Sequence, residues 1–433
     1  MKLSTASSSS VYLESRAVQL GCHSGSSGIV LSEGFPAPPH QSRGCWNDRF
    51  DLPCGRTLGS VLFFLIILIC ALISARADAA EPTAIAPAGQ AIHLAVMPLE
   101  RLTPRRAPYP EIRTSLINWI VARGGARVLG DEAMEKFMHR HRIRYTGGID
   151  GATARALRQE EGVDAVLITS LEFYDENYPP KIGILSRLVS IADEPVILWM
   201  DSIGLAGNDE PGILGLGLIG DIEVLREKVL QRLSGSLARY LSGQWEPAAG
   251  KVPRRYWPKI AYRDPLVQVG EKYTVAVVPF FNSALRKNAG EIMALHFLKE
   301  LVQQGNLYVV EPGVIRQRLL NFRVIMLEGL SLSDSDAILN SLGADLALSG
   351  RAVDYVEYPG DITPKVDFSV VVLERMSKRT VWASKSYNQG DDGVFFFDRG
   401  RVYMTGTLAS KMTRAVVEDL FGKRGTERRE GAI

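Results

Sequence analysis

Apolar residues along this chain change their spacing several times, and each change marks an element. Ile92-His93-Leu94-Ala95-Val96-Met97-Pro98 is a short apolar run stopped by proline, which reads as a buried strand. Leu116, Ile117, Ile120 and Val121 then recur at helical spacing, the stripe of a helix packed on a sheet, and Gly124-Gly125 ends it. A second strand is predicted over 126–129, a basic helix over 131–144 and a short helix over 153–161. From Gly162 the chain is mostly apolar as far as Tyr174, and two more strands are expected over 181–191 and 196–205. Ile222, Leu225, Val229, Leu233, Leu237 and Leu241 close the series as one long helix.

The series then repeats. Gly343-Ala344-Asp345-Leu346-Ala347-Leu348-Ser349-Gly350 echoes Gly162-Val163-Asp164-Ala165-Val166-Leu167-Ile168-Thr169 at a distance of 181 residues. The same distance relates Pro98 to Pro279, Gly124 to Gly305, Arg142 to Arg323 and Gly148 to Gly329, while Trp199 and Trp382 match at 183. A register held over that length predicts one module copied in tandem, with two residues gained between strands. Each copy reads as β-α-β-α-α-β-β-β-α, an α/β (α+β) unit with a mixed sheet and helices packed against it. Pro98, Gly162, Asp164 and Trp199, with Pro279, Gly343, Asp345 and Trp382, mark the repeat. Repeat 1 is placed at 91–243 and repeat 2 at 273–421. The proline-containing stretch 244–272 is expected to be an extended connector, and 422–433 a polar tail that frays.

Composition adds an address. All four cysteines, Cys22, Cys45, Cys54 and Cys70, precede the repeats, so the folded part holds no disulfide and no thiolate chemistry. A net charge of +2 gives no overall field to draw in nucleic acid, and none is expected as a partner. Residues 56–79 read as a secretory signal: Arg56, thirteen apolar residues over 61–73, then small side chains that place cleavage after Ala77 or Ala79. Thirteen residues span about 20 Å as a helix, short of a bilayer core of roughly 30 Å. The expected location is the periplasm, the alternative an inner-membrane anchor through 61–73. Residues 1–55 show no periodicity and are read as disordered or as lying upstream of the true start.

Candidate chemistry is sparse. Gly215-Leu216-Gly217-Leu218-Ile219-Gly220 matches a dinucleotide-binding spacing, but it follows the last strand of its unit rather than the first. No cofactor is therefore expected. Ile213, Leu214, Leu216, Leu218 and Ile219 read instead as an apolar loop that contacts a partner. His139 and His141 sit two apart, on different faces of a helix, amid Arg140, Arg142 and Arg144; they read as a solvated basic face, and no metal is expected. Asp209-Glu210 and Asp391-Asp392 read as turn residues, and Tyr256-Trp257 as connector side chains anchoring the domain interface or forming an aromatic-basic patch near a membrane surface.

Val275-Ala276-Val277-Val278-Pro279-Phe280, Leu307-Tyr308-Val309-Val310-Glu311, the Gly343–Gly350 stretch and Thr380-Val381-Trp382 resemble a known soluble domain. It is shared by the curli-secretion channel family (CsgG-like), the periplasmic activators of penicillin-binding proteins (LpoB-like) and the N-terminal domain of the Tol-system propeller protein (TolB). The resemblance implies an exported, non-catalytic protein that binds or scaffolds a partner in envelope assembly or secretion, with homo-oligomers allowed. Two features depart from it. Ile69 precedes Cys70 where lipid attachment wants a small residue, and no alternating transmembrane hairpin is evident. Two other readings stay open: a ligand-binding protein or enzyme with its site between the copies, and a membrane-attached oligomeric channel component.

Overall fold

The computed structural model describes residues 91–422 apart from 193, 211–215, 248–250, 269, 324–331, 358–359, 361 and 395–399. Residues 1–90, with the signal, the 61–73 segment, Ala77 and Ala79, lie outside the described residues, as do Ile213, Leu214 and the tail from 423.

Two mixed sheets organise the described chain. In module one, β1 (Ile92–Val96) lies parallel between β3 (Ala126–Val128) and β4 (Ala165–Asp175); β5 (Lys181–Ser190) and β6 (Val196–Ala206) then add antiparallel. A two-residue strand, β2 (Glu100–Arg101), pairs beside β4. Helices α1 (Tyr109–Arg123), α2 (Asp131–Arg140), α3 (Gly151–Glu161) and α4 (Ile222–Leu241) complete it. Module two repeats this order with β8 (Tyr273–Val277), β9 (Phe281–Asn282), β10 (Leu307–Val309), β11 (Leu346–Val356), β12 (Lys365–Glu374) and β13 (Thr380–Gln389). Its helices are α5 (Ala289–Val302), α6 (Pro312–Asn321), α7 (Leu332–Leu342) and α8 (Thr405–Phe421). The expected tandem units, each a mixed sheet with packed helices, are what the strand pairing displays.

The repeated Gly-x-Asp has the same task in both modules. Gly162 (φ 64°) and Gly343 (φ 62°) take the left-handed conformation that ends a helix, open to glycine at little cost. Two residues on, Asp164 Oδ2 accepts the His93 N–H at 2.8 Å and Asp345 Oδ2 accepts the Thr274 N–H at 2.9 Å, tying the incoming strand to the central one. Trp199 faces Leu188 and Trp382 faces Val372 across the last strand pair, and both indoles are buried. The central strands also bulge at matching points, beside Glu172 and beside Val353.

Two expectations need correction. The basic helix stops at Arg140, because Arg142 takes φ 53°, as Arg323 does at 54° in module two. The connector is more than a spacer: Arg254–Tyr256 forms a 3-10 turn with Tyr256 buried, and β7 (Ile260–Arg263) pairs along β13 as the outermost strand of sheet two. The backbone N–H and C=O groups at that sheet edge are strong bonding groups, so an extended chain running past them docks.

The modules differ in what covers them. On sheet one, α1 and α4 seal one face through Leu116, Ile120, Leu225, Val229 and Leu233. The other face meets α2 and α3 and, beyond them, α5 from module two, so every residue of β4 and β5 is buried. Helix α5 is buried nearly all round, with only Glu291 exposed between Ala289 and Leu301, because it lies between the two sheets. One apolar cluster therefore runs through both modules. Among the described residues, the corresponding face of sheet two is covered only by α6 and α7, and Ile260, Tyr262, Val371 and Tyr387 stand exposed on its strands.

Candidate functional site

Among the described residues, buried ion pairs join the two modules at three points. Arg187, inward-facing on β5, donates from Nε and Nη2 to Glu311 at 2.9 Å each, and from Nη2 to the Gly147 carbonyl at 2.7 Å. Both side chains are fully buried. Glu311 also caps α6 and accepts the Ile149 N–H, so one carboxylate joins the 147–149 loop of module one to a helix of module two. Gly148 and Gly313 let the backbones meet: a Cβ on Gly313 would sit 2.3 Å from the Ile149 nitrogen. Burial alone would lower the Arg187 pKa, but the Glu311 carboxylate outweighs it and holds the guanidinium charged.

Lys181 pairs with Glu357 at 3.0 Å, and Glu357 also accepts the first N–H of α8. Burial pushes the Glu357 carboxyl up, only partly opposed by Lys181 and Thr405. At the third point, Glu172 emerges from the β4 bulge towards His296 of α5, at 3.4 Å, and accepts the Tyr355 hydroxyl of β11. Burial pushes the Glu172 carboxyl up, yet His296, Arg286 and Tyr355 together hold it below its ordinary value. A small cavity of about 240 Å³ opens beside Glu172 and His296.

At one end of this interface the modules part to leave a cleft of about 1400 Å³. Module one supplies the turn from Pro98 to Leu102, the start of α1, the exposed side of α2 and the loop through Tyr145 to Gly147. Module two supplies Pro279, the first half of α5 and the outer side of α6. Much of the wall is apolar, with Met134, Met138, Ile143, Leu295, Leu298 and Ile315. Charge is concentrated in five arginines (Arg101, Arg113, Arg142, Arg144, Arg316) and four carboxylates (Glu100, Asp131, Glu135, Glu291). Arg113 is used by Asp131 at 2.6 Å and by the Val96 carbonyl. Arg316 lies 4.4 Å over the Tyr145 ring, and Arg101 4.7 Å over Tyr109. Arg142 and Arg144 are exposed, and neither has an acidic partner among the described residues.

Glu100 accepts the Ser170 hydroxyl at 2.6 Å and rests against Gly147. Burial pushes its pKa up; Ser170 and Arg187 oppose this, and Glu291 and Glu311 reinforce it. Burial likewise pushes the Tyr145 phenol up, with its hydroxyl donating to the Gly147 carbonyl at 3.0 Å.

Residues singled out in the sequence divide between fold and cleft. Pro98 and Pro279 end their strands on opposite walls of the cleft, and His139 lines it. His141 instead sits 2.7 Å from Glu160. Of the apolar loop, Leu216 is 86% exposed and Leu218 41%, while Ile219 packs against the α1–α4 cluster. The N-terminus of α4, where a pyrophosphate would have to sit, is capped by the Asp221 carboxylate on the Glu223 N–H. Glu210 pairs with Lys228 and Arg232, and Asp392 closes a turn on the Gln389 N–H. Glu172 and Arg187 are not marked by the sequence reading, and Glu311 enters it only as the end of the Leu307–Glu311 stretch. The visible signal is charge inside the buried strands Ala165–Asp175 and Lys181–Ser190; the partners, 124 residues away for Arg187–Glu311 and 183 for Glu172–Tyr355, leave none.

No protein-family model matches the chain, nor does any curated protein sequence. Among solved structures it is similar to the PelC dodecamer from Paraburkholderia phytofirmans, at 15% identity and a TM-score of 0.27, covering 37% of this chain and 97% of that one. Lipoprotein GNA1162 from Neisseria meningitidis matches at 18% identity and 0.25, over 34% and 98%. The LpoB C-terminal domain from Escherichia coli matches at 13% and 0.21, over 27% and 82%. Likenesses this slight carry no argument about function, and the fold rests on the strand pairing above.

Proposed function

We propose that this chain is an exported, non-catalytic binding protein of the cell envelope, in which duplication of one module created a second wall for a ligand cleft. The observation that carries the reading is that the cleft draws its walls from both modules, while buried pairs such as Arg187–Glu311 hold those walls in place. Of the perturbed groups nearby, Arg187 joins the modules through Glu311, while Glu100 is held within module one by Ser170. Export rests on the signal-like 56–79 segment. Fusing alkaline phosphatase to the C-terminus of the full chain tests it: an active fusion is expected, and an inactive one removes the envelope from the reading. For the cleft, Thr114→Trp introduces bulk at an exposed wall position. Native mass spectrometry of protein taken from its host should show a co-purifying small molecule that this variant loses; an unchanged adduct on T114W overturns the cleft reading.

A second reading has its own support. Ile260, Tyr262, Val371 and Tyr387 make an exposed apolar and aromatic face on sheet two, where sheet one is covered by α5. A protein partner or another copy of the chain would contact this face, together with Leu216 and Leu218. Photocrosslinkers at Tyr387 and Leu216 should trap a defined protein that one at Glu132 does not.

A further inference from the structure

We infer that the inter-module cleft takes an anionic amphiphile: a single acyl-like chain lying along the apolar walls, with a phosphate or carboxylate head held by Arg142 and Arg144. The inference rests on the binding reading above and names its ligand class.

Three observations carry it. The partly exposed Met138 and Ile143, backed by the buried Met134, Leu295, Leu298 and Ile315, give the cleft a lining with more apolar than polar surface. Met138 is unbranched and adapts to a flexible chain. The charges at the cleft are not equally available. Arg113 is neutralised by Asp131, and Arg101 and Arg316 lie over aromatic rings. Arg142 and Arg144, on one loop, have no acidic partner among the described residues, and Arg316 stacked on Tyr145 keeps a third cation at the cleft. A guanidinium pair at the mouth of an apolar trough suits a ligand that is anionic at one end and apolar along its length.

The carboxylates do not reverse this. Glu100 is buried against Gly147 with its pKa pushed up, which weakens its repulsion of an anion. Glu135 is exposed on α2, and Glu291 lies in the first turn of α5.

The test titrates the purified mature chain by calorimetry, below the critical micelle concentration, with palmitoyl lysophosphatidylglycerol, monopalmitoylglycerol and inorganic phosphate. Saturable binding of the first is expected, weaker by about tenfold or more for the uncharged lipid, as two charge-assisted contacts require. No binding of phosphate alone is expected. Arg142→Ala/Arg144→Ala should reduce the affinity about tenfold, and R142E/R144E should abolish it; both positions are exposed, so folding is not at stake. T114W should block binding while leaving adsorption to anionic vesicles unchanged, which separates cleft occupancy from surface attraction. If the uncharged lipid binds as tightly, or the arginine variants change nothing while T114W still blocks, the anion assignment is wrong and the cleft reading stands. If no lipid binds, the inference is overturned, and the adduct measured on T114W decides the cleft reading separately.

Discussion

Replacing Glu311 by glutamine should cost more than any surface substitution in this protein, and the reason is the environment of its partner. Glu311 and Arg187 are 0% and 1% exposed, so neither charge is screened by water. In the native structure the carboxylate takes two guanidinium N–H groups at 2.9 Å and also the Ile149 N–H. Glutamine keeps the shape but leaves a buried cation facing the Gly147 carbonyl and a neutral amide. Coulomb attraction at about 4 Å is worth about 4 kcal/mol at an effective dielectric constant of 20, and breaking buried pairs costs about 3–5 kcal/mol. Over the roughly 300 described residues, at about 2.1 cal/mol/K each, 4 kcal/mol corresponds to a Tm lowered by roughly 6 °C. Urea denaturation and calorimetry of E311Q measure this. Hydrogen exchange should show faster opening at 147–149 and along α6, because that is where the pair joins the modules. The companion variant Arg187→Met/Glu311→Leu removes both charges and should recover part of the loss, less what the Ile149 N–H and the Gly147 carbonyl forfeit with their partners. The reasoning fails if E311Q loses less than about 1 kcal/mol, or if the double variant is worse than E311Q alone.

Other outcomes follow from single contacts. Gly313→Ala places a Cβ 2.3 Å from the Ile149 nitrogen and should destabilise by about 1–3 kcal/mol, read from the denaturation midpoint. Gly162→Ala and Gly343→Ala meet nothing within 4 Å, so each should cost only the left-handed backbone penalty of about 1–2 kcal/mol, and equal losses would support equivalent roles. Glu172 titrates below its ordinary 4.5 in the folded state, so its ionised form stabilises above the unfolded value and that contribution is lost as pH falls through the lowered folded value. The stability gap between wild type and Glu172→Gln should therefore close on acidification below about 4.5; a gap that stays constant to pH 3 contradicts the assignment. Glu100 has the opposite shift, so a sulfonate-headed amphiphile should bind more tightly as pH falls into the range where this carboxyl protonates, and E100Q should remove Glu100's share of that dependence while leaving the share of Asp131, Glu135, His139 and Glu291.

Much of the architecture could be read before any coordinates, because local rules decide it. The spacing of Leu116, Ile117 and Ile120, the glycines at 162 and 343, and the repeated Asp at 164 and 345 each act through their own neighbourhood: a helix face, a left-handed turn, a carboxylate on the adjacent strand's N–H. A repeat of local patterns is visible as a repeat of residues. The strand Ile260–Arg263 was hidden because pairing at a sheet edge uses backbone groups, which every sequence has.

The chain alone determined the modules' element order, their strand-marking residues and the signal-like segment ahead of them. Tertiary structure decided everything that arises between modules. It placed α5 between two sheets, left one face of sheet two open, brought Arg187 to Glu311 across 124 residues, and turned Pro98 and Pro279 into opposite walls of a cleft. These pairings depend on shape and on removal from water across long stretches of chain, and neither leaves a periodic trace in the order of the residues.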